Sequence, residues 1–189
     1  MTLPPLVAIS PGDGRSLRKW ILPLVDAGLP GLILREPGCQ SSELVSLLDE
    51  LQGLQFLAVH SRTPNANELA VTRRLPMHLT ASEPPIELPH GRSTHSADAL
   101  NRAFETRARY ALLSPVWKPN SKPDDDRTEI GVNAFLRLRA HRPVFALGGV
   151  TPERYGLLRE HGAGAMVLGD LFHQKSPAAA VNRLRQYLS

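Results

Sequence analysis

The chain has 189 residues, 42% of them hydrophobic and 21% charged, which suits one globular domain with a substantial core. A net charge of +4 with scattered arginines reads as a solvated surface and not as a nucleic-acid face. No run approaches the ~20 apolar residues of a membrane span, and a single cysteine, Cys39, excludes an intrachain disulfide and a cysteine zinc cluster.

Strand and helix patterns alternate from end to end. Leu6 to Ser10 is a short apolar run stopped by Pro11-Gly12. Leu17 to Ala27 has helical spacing, with Leu17, Trp20, Ile21, Leu24 and Val25 on one face and Pro23 inside it. Gly31 to Arg35 is the second strand. Ser41-Ser42-Glu43 opens a helix whose apolar stripe is Leu44, Leu47, Leu48 and Leu51. Phe56 to His60 is strand three, Asn65 to Arg73 a short helix, and Met77 to Thr80 strand four. Glu83-Pro84-Pro85-Ile86-Glu87-Leu88-Pro89 cannot readily form the helix due next, so an irregular connection is expected there.

Strand five is the weak run Gly91 to Thr94, followed by a helix over Ser96 to Thr106. Tyr110 to Val116 is strand six, then a polar loop from Pro119 to Arg127 and a helix near Val132 to Ala140. Pro143 to Gly149 and Gly162 to Gly169 each run from an apolar strand into glycine and a helix start, with Thr151 as a cap and Pro152-Glu153 in the first turn. Ser176-Pro177 opens the last helix, which puts Val181, Leu184 and Leu188 on one face. Repeated βα units with near-continuous apolar strands imply a parallel sheet covered by helices. Eight units favour a closed (β/α)8 TIM barrel of α/β class, short and irregular after strand four, as a single domain over 1–189. A doubly wound open sheet is the alternative.

In such a barrel the loops after strands seven and eight form a phosphate site. Gly148, Gly149 and Gly169 let the backbone approach a ligand closely near helix starts, so they are candidate phosphate ligands. Arg35, at the end of strand two, pairs with Glu36 at the surface or holds a phosphate or carboxylate. Ser93 offers a hydroxyl to a phosphate or caps the next helix. Lys122, beside Asp124, Asp125 and Asp126, belongs to a solvated charge cluster or binds an anion. His60, His78 and His95 stand near the ends of strands three, four and five. Imidazoles so placed serve proton transfer or a metal, although a lone histidine is more often structural. Glu83 is a candidate acid, base or metal ligand, and Cys39 reads as packing.

Met1 to Pro5 shows no basic stretch ahead of an apolar core, so the expectation is a cytoplasmic protein without a signal peptide.

The order of these motifs resembles the thiamine phosphate synthase / TenI superfamily. Pro143 to Val150 and Gly162 to Phe172 are similar to its last two strands. Leu32 to Glu36 resembles its "QLREK" strand, and Met77-His78-Leu79 its "GVHLG" strand. Ser93 to Ser96 resembles "SxHS", and Tyr110 with Ser114 to Trp117 its sixth strand, ending at Lys122. The Leu113-Ser114-Pro115-Val116 stretch is similar to superfamily members fused to Nudix domains.

The resemblance implies a transferase that joins a pyrimidine pyrophosphate to a thiazole phosphate through a carbocation-like step. Thiazole phosphate would lie on Gly148, Gly149 and Gly169, and pyrophosphate on Arg35, Lys122 and Ser93. Magnesium would be held by two carboxylates, with no organic cofactor. Pro37 stands where the synthase has lysine, and His60-Ser61 where it has Asn-Asp. Glu83 stands at the second metal-binding Asp, which leaves magnesium possible but weakened. The resemblance also admits a TenI-like thiazole phosphate tautomerase. Pro115 occupies that enzyme's histidine position, so His60 or His95 would have to act. A third alternative is a non-catalytic barrel that binds a phosphorylated metabolite. The expected partner is a small phosphorylated heterocycle, without nucleic acid or membrane, and a homodimer is the expected remedy for any exposed apolar helix face.

Overall fold

The computed structural model describes residues 3–118 and 127–189. Eight parallel strands close into a barrel in sequence order: β1 Leu6–Ile9, β2 Gly31–Leu34, β3 Phe56–His60, β4 Met77–Leu79, β5 His90–Thr94, β6 Tyr110–Leu113, β7 Val144–Ala146 and β8 Gly164–Val167. The β8 to β1 pairing, Leu6 against Ala165 and Ala8 against Val167, seals it and excludes the open sheet. Helices follow the strands: α1 Leu17–Asp26, α2 Ser41–Glu50, α3 Ala66–Arg73, α4 Ala97–Glu105, α5 Val132–Arg139, α6 Pro152–Glu160, α7 Gly169–Phe172 and α8 Pro177–Leu188.

The strand period of two divides the core. Val7, Ile9, Ile33, Phe56, Ala58, Tyr110, Leu112, Phe145 and Met166 fill the barrel, while residues between them, such as Leu6, Leu32, Val59 and Leu113, face the helices. Closure depends on small residues beside large ones. Register places Gly91 against Tyr110, and a Cβ on Gly91 would lie 2.1 Å from that ring. Phe56 and Phe145 meet the Tyr110 ring edge-on at 5.5 and 6.2 Å. Gly91 therefore keeps β5 in the barrel despite its polar sequence.

No helix separates β4 from β5. Arg92 works in its place. It is buried, and its guanidinium donates to the carbonyls of Thr80, Glu83 and Pro84 at 3.2, 2.5 and 3.2 Å, while Ile86 and Leu88 pack against the core.

Two helix caps match expectation: Thr151 accepts from the Arg154 N–H, and Ser176 from the Ala179 N–H. Gly169 opens the short helix α7, as its strand-glycine-helix pattern implies. Two readings need correction. Strand β6 stops at Leu113, because Pro115 has no N–H for the ladder. The buried face of α8 is Ala180, Leu184 and Tyr187, with Val181 at its edge and Leu188 44% exposed. Among the described residues no helix is long and apolar enough to cross a membrane.

Candidate functional site

The C-terminal strand ends carry two polar regions. The first is a cavity of about 330 Å³ at the ends of β6, β7 and β8. Gly148, Gly149 and Gly169 lie in its wall together with Ser114, Arg127, Arg154 and Asp170. The sequence thus brings all three candidate phosphate glycines to one cavity, of a size that suits a small ligand. Gly148 and Gly149 have φ of 95° and 60°, which favours glycine. They also meet a packing demand. A Cβ on Gly148 would lie 2.9 Å from Pro115 Cβ, and one on Gly149 2.8 Å from the Lys118 carbonyl oxygen. The β7 loop thereby fits against the β6 loop, where the Val116 N–H donates to Leu147 O at 2.9 Å and the Trp117 N–H to Gly148 O at 3.2 Å.

The cavity is braced from α8. Arg183 donates to both Asp170 oxygens, at 2.7 and 3.0 Å, and the Tyr187 hydroxyl lies 2.7 Å from Asp170 Oδ2 and 3.0 Å from Val150 O. Burial, with the Asp170 carboxylate beside it, keeps the Tyr187 proton in place far above its ordinary range. One side chain of α8 therefore ties the β7 loop to the β8 loop.

His95 stands at the cavity's edge. It is exposed, with Nδ1 2.9 Å from the Ser114 carbonyl oxygen, and it contacts the Arg127 guanidinium at 3.0 Å. Nδ1 thus meets both an acceptor, the Ser114 carbonyl, and a donor, the Arg127 guanidinium.

The second region spans the ends of β1 to β5. His60 is 6% exposed, and its Nδ1 accepts from the Arg62 N–H at 3.1 Å. Burial, reinforced by Arg35 and Arg62, lowers its pKa to about 4. It is neutral at pH 7, with the proton on Nε2, so it donates and is not a ready base. His78 lies 5.4 Å from His60, ring to ring, wholly inside the barrel. Its Nδ1 meets the Tyr110 hydroxyl at 3.1 Å and its Nε2 the Ser93 hydroxyl at 2.9 Å. Ser93 accordingly joins an interior network, and Ser96 caps α4 instead.

Arg35 donates from Nη1 to Pro11 O at 2.9 Å. Glu36 is 3% exposed and accepts the Gly12 N–H at 3.2 Å, with its pKa raised by burial. Cys39 is half-buried. Burial, with Glu43 beside it, pushes its thiol up to about 11, consistent with packing and not reactivity. Lys122 lies outside the described residues.

Glu83 accepts at Oε2 from Ser61 Oγ at 2.7 Å and from the Thr80 N–H at 2.5 Å. Burial works against its charge, but these hydrogen bonds outweigh it and hold the carboxyl below its ordinary range. The two-carboxylate magnesium site that the resemblance implied is not reproduced. Ser61 supplies a hydroxyl that is spent on Glu83, and the Arg92 guanidinium lies near the same carboxylate. No group of three His, Cys, Asp or Glu fit for a metal occurs among the described residues. The donor set does not suit a resident magnesium, a cation bound through carboxylates and phosphates.

A family model described as "Thiamine monophosphate synthase" matches residues 87–170, the stretch that carries β5 to β8 and the cavity glycines. A thiamine-phosphate synthase of Mycolicibacterium smegmatis is 28% identical over 94% of this chain and 89% of its own length. Over nearly its whole length the chain is therefore similar to a thiamine-phosphate synthase, and over β5 to β8 it matches that family's model. A thiamine-phosphate synthase of a Synechococcus strain is 36% identical over 52% of the chain, which there spans only 28% of the relative. The same fold is seen in the thiamine phosphate pyrophosphorylase of Pyrococcus furiosus, with a TM-score of 0.76 at 18% identity, covering 97% of this chain and 94% of that one.

Arg127, Arg154 and the Asp170–Arg183–Tyr187 brace escaped the sequence reading. Arg154 had a signal, since it is the third residue of a helix that starts at the phosphate-side glycines. Arg183 and Tyr187 had none, because nothing in the α8 pattern points to the cavity.

Proposed function

We propose that this chain is a thiamine phosphate synthase-like transferase, joining a pyrimidine pyrophosphate to a thiazole phosphate. The observation that carries the reading is the β6–β8 cavity. Backbone at Gly148, Gly149 and Gly169 and the cations Arg127 and Arg154 converge there on a space for a phosphate group, in a chain similar to a thiamine-phosphate synthase. Barrels of one fold host many reactions, so the assignment rests on this site and not on the architecture.

In this reaction the bond between the pyrimidine's methylene carbon and the pyrophosphate oxygen breaks, and the leaving group departs with the electron pair. The thiazole nitrogen lone pair then forms the new C–N bond. No proton needs to move. The protein's work is to hold two anionic substrates in line and to stabilise charge on the leaving group. Arg35, whose positive charge His60 senses and which follows β2, would take that leaving group. Neutral His60 offers an Nε2–H donor on the neighbouring strand. Purified protein given both substrates should yield thiamine phosphate; product no faster than in the protein-free mixture overturns the proposal.

The tautomerase is the second reading, and one observation favours it. His95, unlike the buried His60, is exposed beside Ser114 and Arg127 of the cavity wall. A thiazole phosphate tautomer should then interconvert without pyrophosphate, and His95→Gln should abolish it. An unchanged rate in that variant removes the reading.

A further inference from the structure

The hydrogen-bonded chain inside the barrel has no part in the reaction as proposed. It runs from Tyr110, which opens β6, through His78 of β4 to Ser93, one residue from the end of β5. Tyr110 is wholly buried. Phe56 and Phe145 stand edge-on to its ring, the His78 ring stacks on it with centroids 5.6 Å apart, and Gly91 lies against it. Its hydroxyl meets one polar atom among the described contacts, His78 Nδ1 at 3.1 Å. Burial keeps the Tyr110 proton in place and keeps His78 neutral. Ser93 is the half-buried member of the three, and its hydroxyl likewise meets one partner, His78 Nε2 at 2.9 Å.

A neutral imidazole has one N–H, so the protons of this chain can be ordered in two ways. With the proton on Nδ1, the Tyr110 oxygen would accept it. The phenol's own proton would then lack an acceptor among aromatic rings, and a desolvated donor left unpaired is costly. With the proton on Nε2, Tyr110 donates to Nδ1 and Nε2 donates to Ser93 Oγ. Every proton inside the barrel then has an acceptor. One proton is left over, that of Ser93, and Ser93 stands at the C-terminal strand ends. The site of the reaction as proposed opens on that side, and the His60 ring lies 5.4 Å from that of His78.

We infer that Tyr110 and His78 are positioning residues, which hold the Ser93 hydroxyl as a hydrogen-bond donor to the pyrophosphate leaving group. The inference rests on the transferase reading and adds to it the buried groups that set the direction of one donor. A lone serine hydroxyl turns freely between giving and accepting a proton. Here its accepting side is occupied before the anion arrives, so the donor is already oriented toward developing charge. Hydrogen bonds in a chain also polarise one another, which strengthens the terminal donor.

The test joins nitrogen NMR of the histidine rings to calorimetric titration with inorganic pyrophosphate, with and without magnesium, on wild type, Tyr110→Phe, Ser93→Ala and the double variant. Phenylalanine keeps the ring and removes the proton that fixes the tautomer. His78 should be protonated at Nε2 in wild type and should mix tautomers in Tyr110→Phe. Ser93→Ala should weaken pyrophosphate binding about tenfold or more, for one hydrogen bond to a charged group. Tyr110→Phe should weaken it about two- to fivefold without touching the ligand, and should change nothing further in the Ser93→Ala background. His78 protonated at Nδ1 in wild type would overturn the inference. So would undiminished binding by Ser93→Ala or by Tyr110→Phe, or an equal loss from Tyr110→Phe with and without Ser93, which would make its role one of packing. Each of these leaves the transferase reading standing. Wild type that binds no pyrophosphate in either condition overturns that reading, and the inference with it.

Discussion

Replacing Tyr187 with phenylalanine removes one oxygen atom and asks whether α8 holds the cavity together. The side chain is 4% exposed, and its hydroxyl is shared between Val150 O at 3.0 Å and Asp170 Oδ2 at 2.7 Å. The ring would stay where it is, packed against Tyr155 with centroids 5.6 Å apart, so the change deletes polar contacts without opening a void. A hydroxyl has one proton to give, so the two acceptors compete for it. Asp170 keeps both contacts to Arg183, and the main casualty is the link to the Val150 carbonyl. The cost should be about 1–3 kcal/mol, the range for a buried polar group that loses its partner. At roughly 2–4 °C per kcal/mol for a chain of this size, the melting temperature should fall by about 3–10 °C. Val150 and Asp170 both line the cavity, so thiazole phosphate affinity should fall as well, by about two- to tenfold, for the loss of one positioning hydrogen bond. Thermal melts followed by circular dichroism, with titration well below the transition, measure both. A melting temperature within 1 °C of wild type, by the roughly 2–4 °C scale above, together with unchanged affinity would refute the brace.

Other consequences are equally open to measurement. Gly91→Ala forces a methyl into the Tyr110 ring, 2.1 Å away, and should cost about 3 kcal/mol or more in thermal or urea unfolding; a variant as stable as wild type would contradict the close approach. The folded-state pKa of His60 is depressed from 6.5 to about 4, so the unfolded chain takes up the proton first as pH falls. Its share of stability is intact above pH 6.5 and is lost as pH drops through 4, on the order of 3 kcal/mol in total. His78, which burial holds well below its ordinary range, acts in the same direction. Urea unfolding of His60→Asn should be flatter between these pH values than that of wild type, and identical slopes would exclude His60 as a source. Ser61→Asp sets a second carboxylate against Glu83, which Ser61 Oγ already touches at 2.7 Å. Magnesium should then bind at least tenfold more tightly than to wild type, a gain of about 1.4 kcal/mol; equally tight binding to the unaltered protein would show that the present donor set suffices.

Most of the barrel was legible because its signals are local and repeated. The Leu44, Leu47, Leu48 and Leu51 stripe, the apolar runs of β1 to β3 and the Thr151 and Ser176 caps each follow from short-range chemistry. The proline-rich stretch 83–89 also read correctly as irregular, because proline fails as a helix former whatever surrounds it. The weak strand β5 was recognisable only through its neighbours, since Gly91 and Arg92 have reasons to be there that lie on β6 and in the β4–β5 loop. The cavity glycines were legible as a pair of strand ends, but their contact with the β6 loop was not. The residues missed at the site, Arg154, Arg183 and Tyr187, act across 5, 13 and 17 to 37 positions of sequence. Contacts at such separations carry no periodicity, and only the closed barrel reveals them. His60 and His95 looked alike as histidines near strand ends, and burial separates them, one enclosed and neutral, the other exposed beside the cavity.

The most direct test of the account is calorimetric titration of the purified protein with thiazole phosphate, repeated with inorganic phosphate as competitor and with magnesium chelated. The account predicts binding at a single site, competition by inorganic phosphate, and an affinity that does not change when magnesium is removed. Absence of binding, or binding that phosphate does not compete, would contradict the assignment of the β6–β8 cavity.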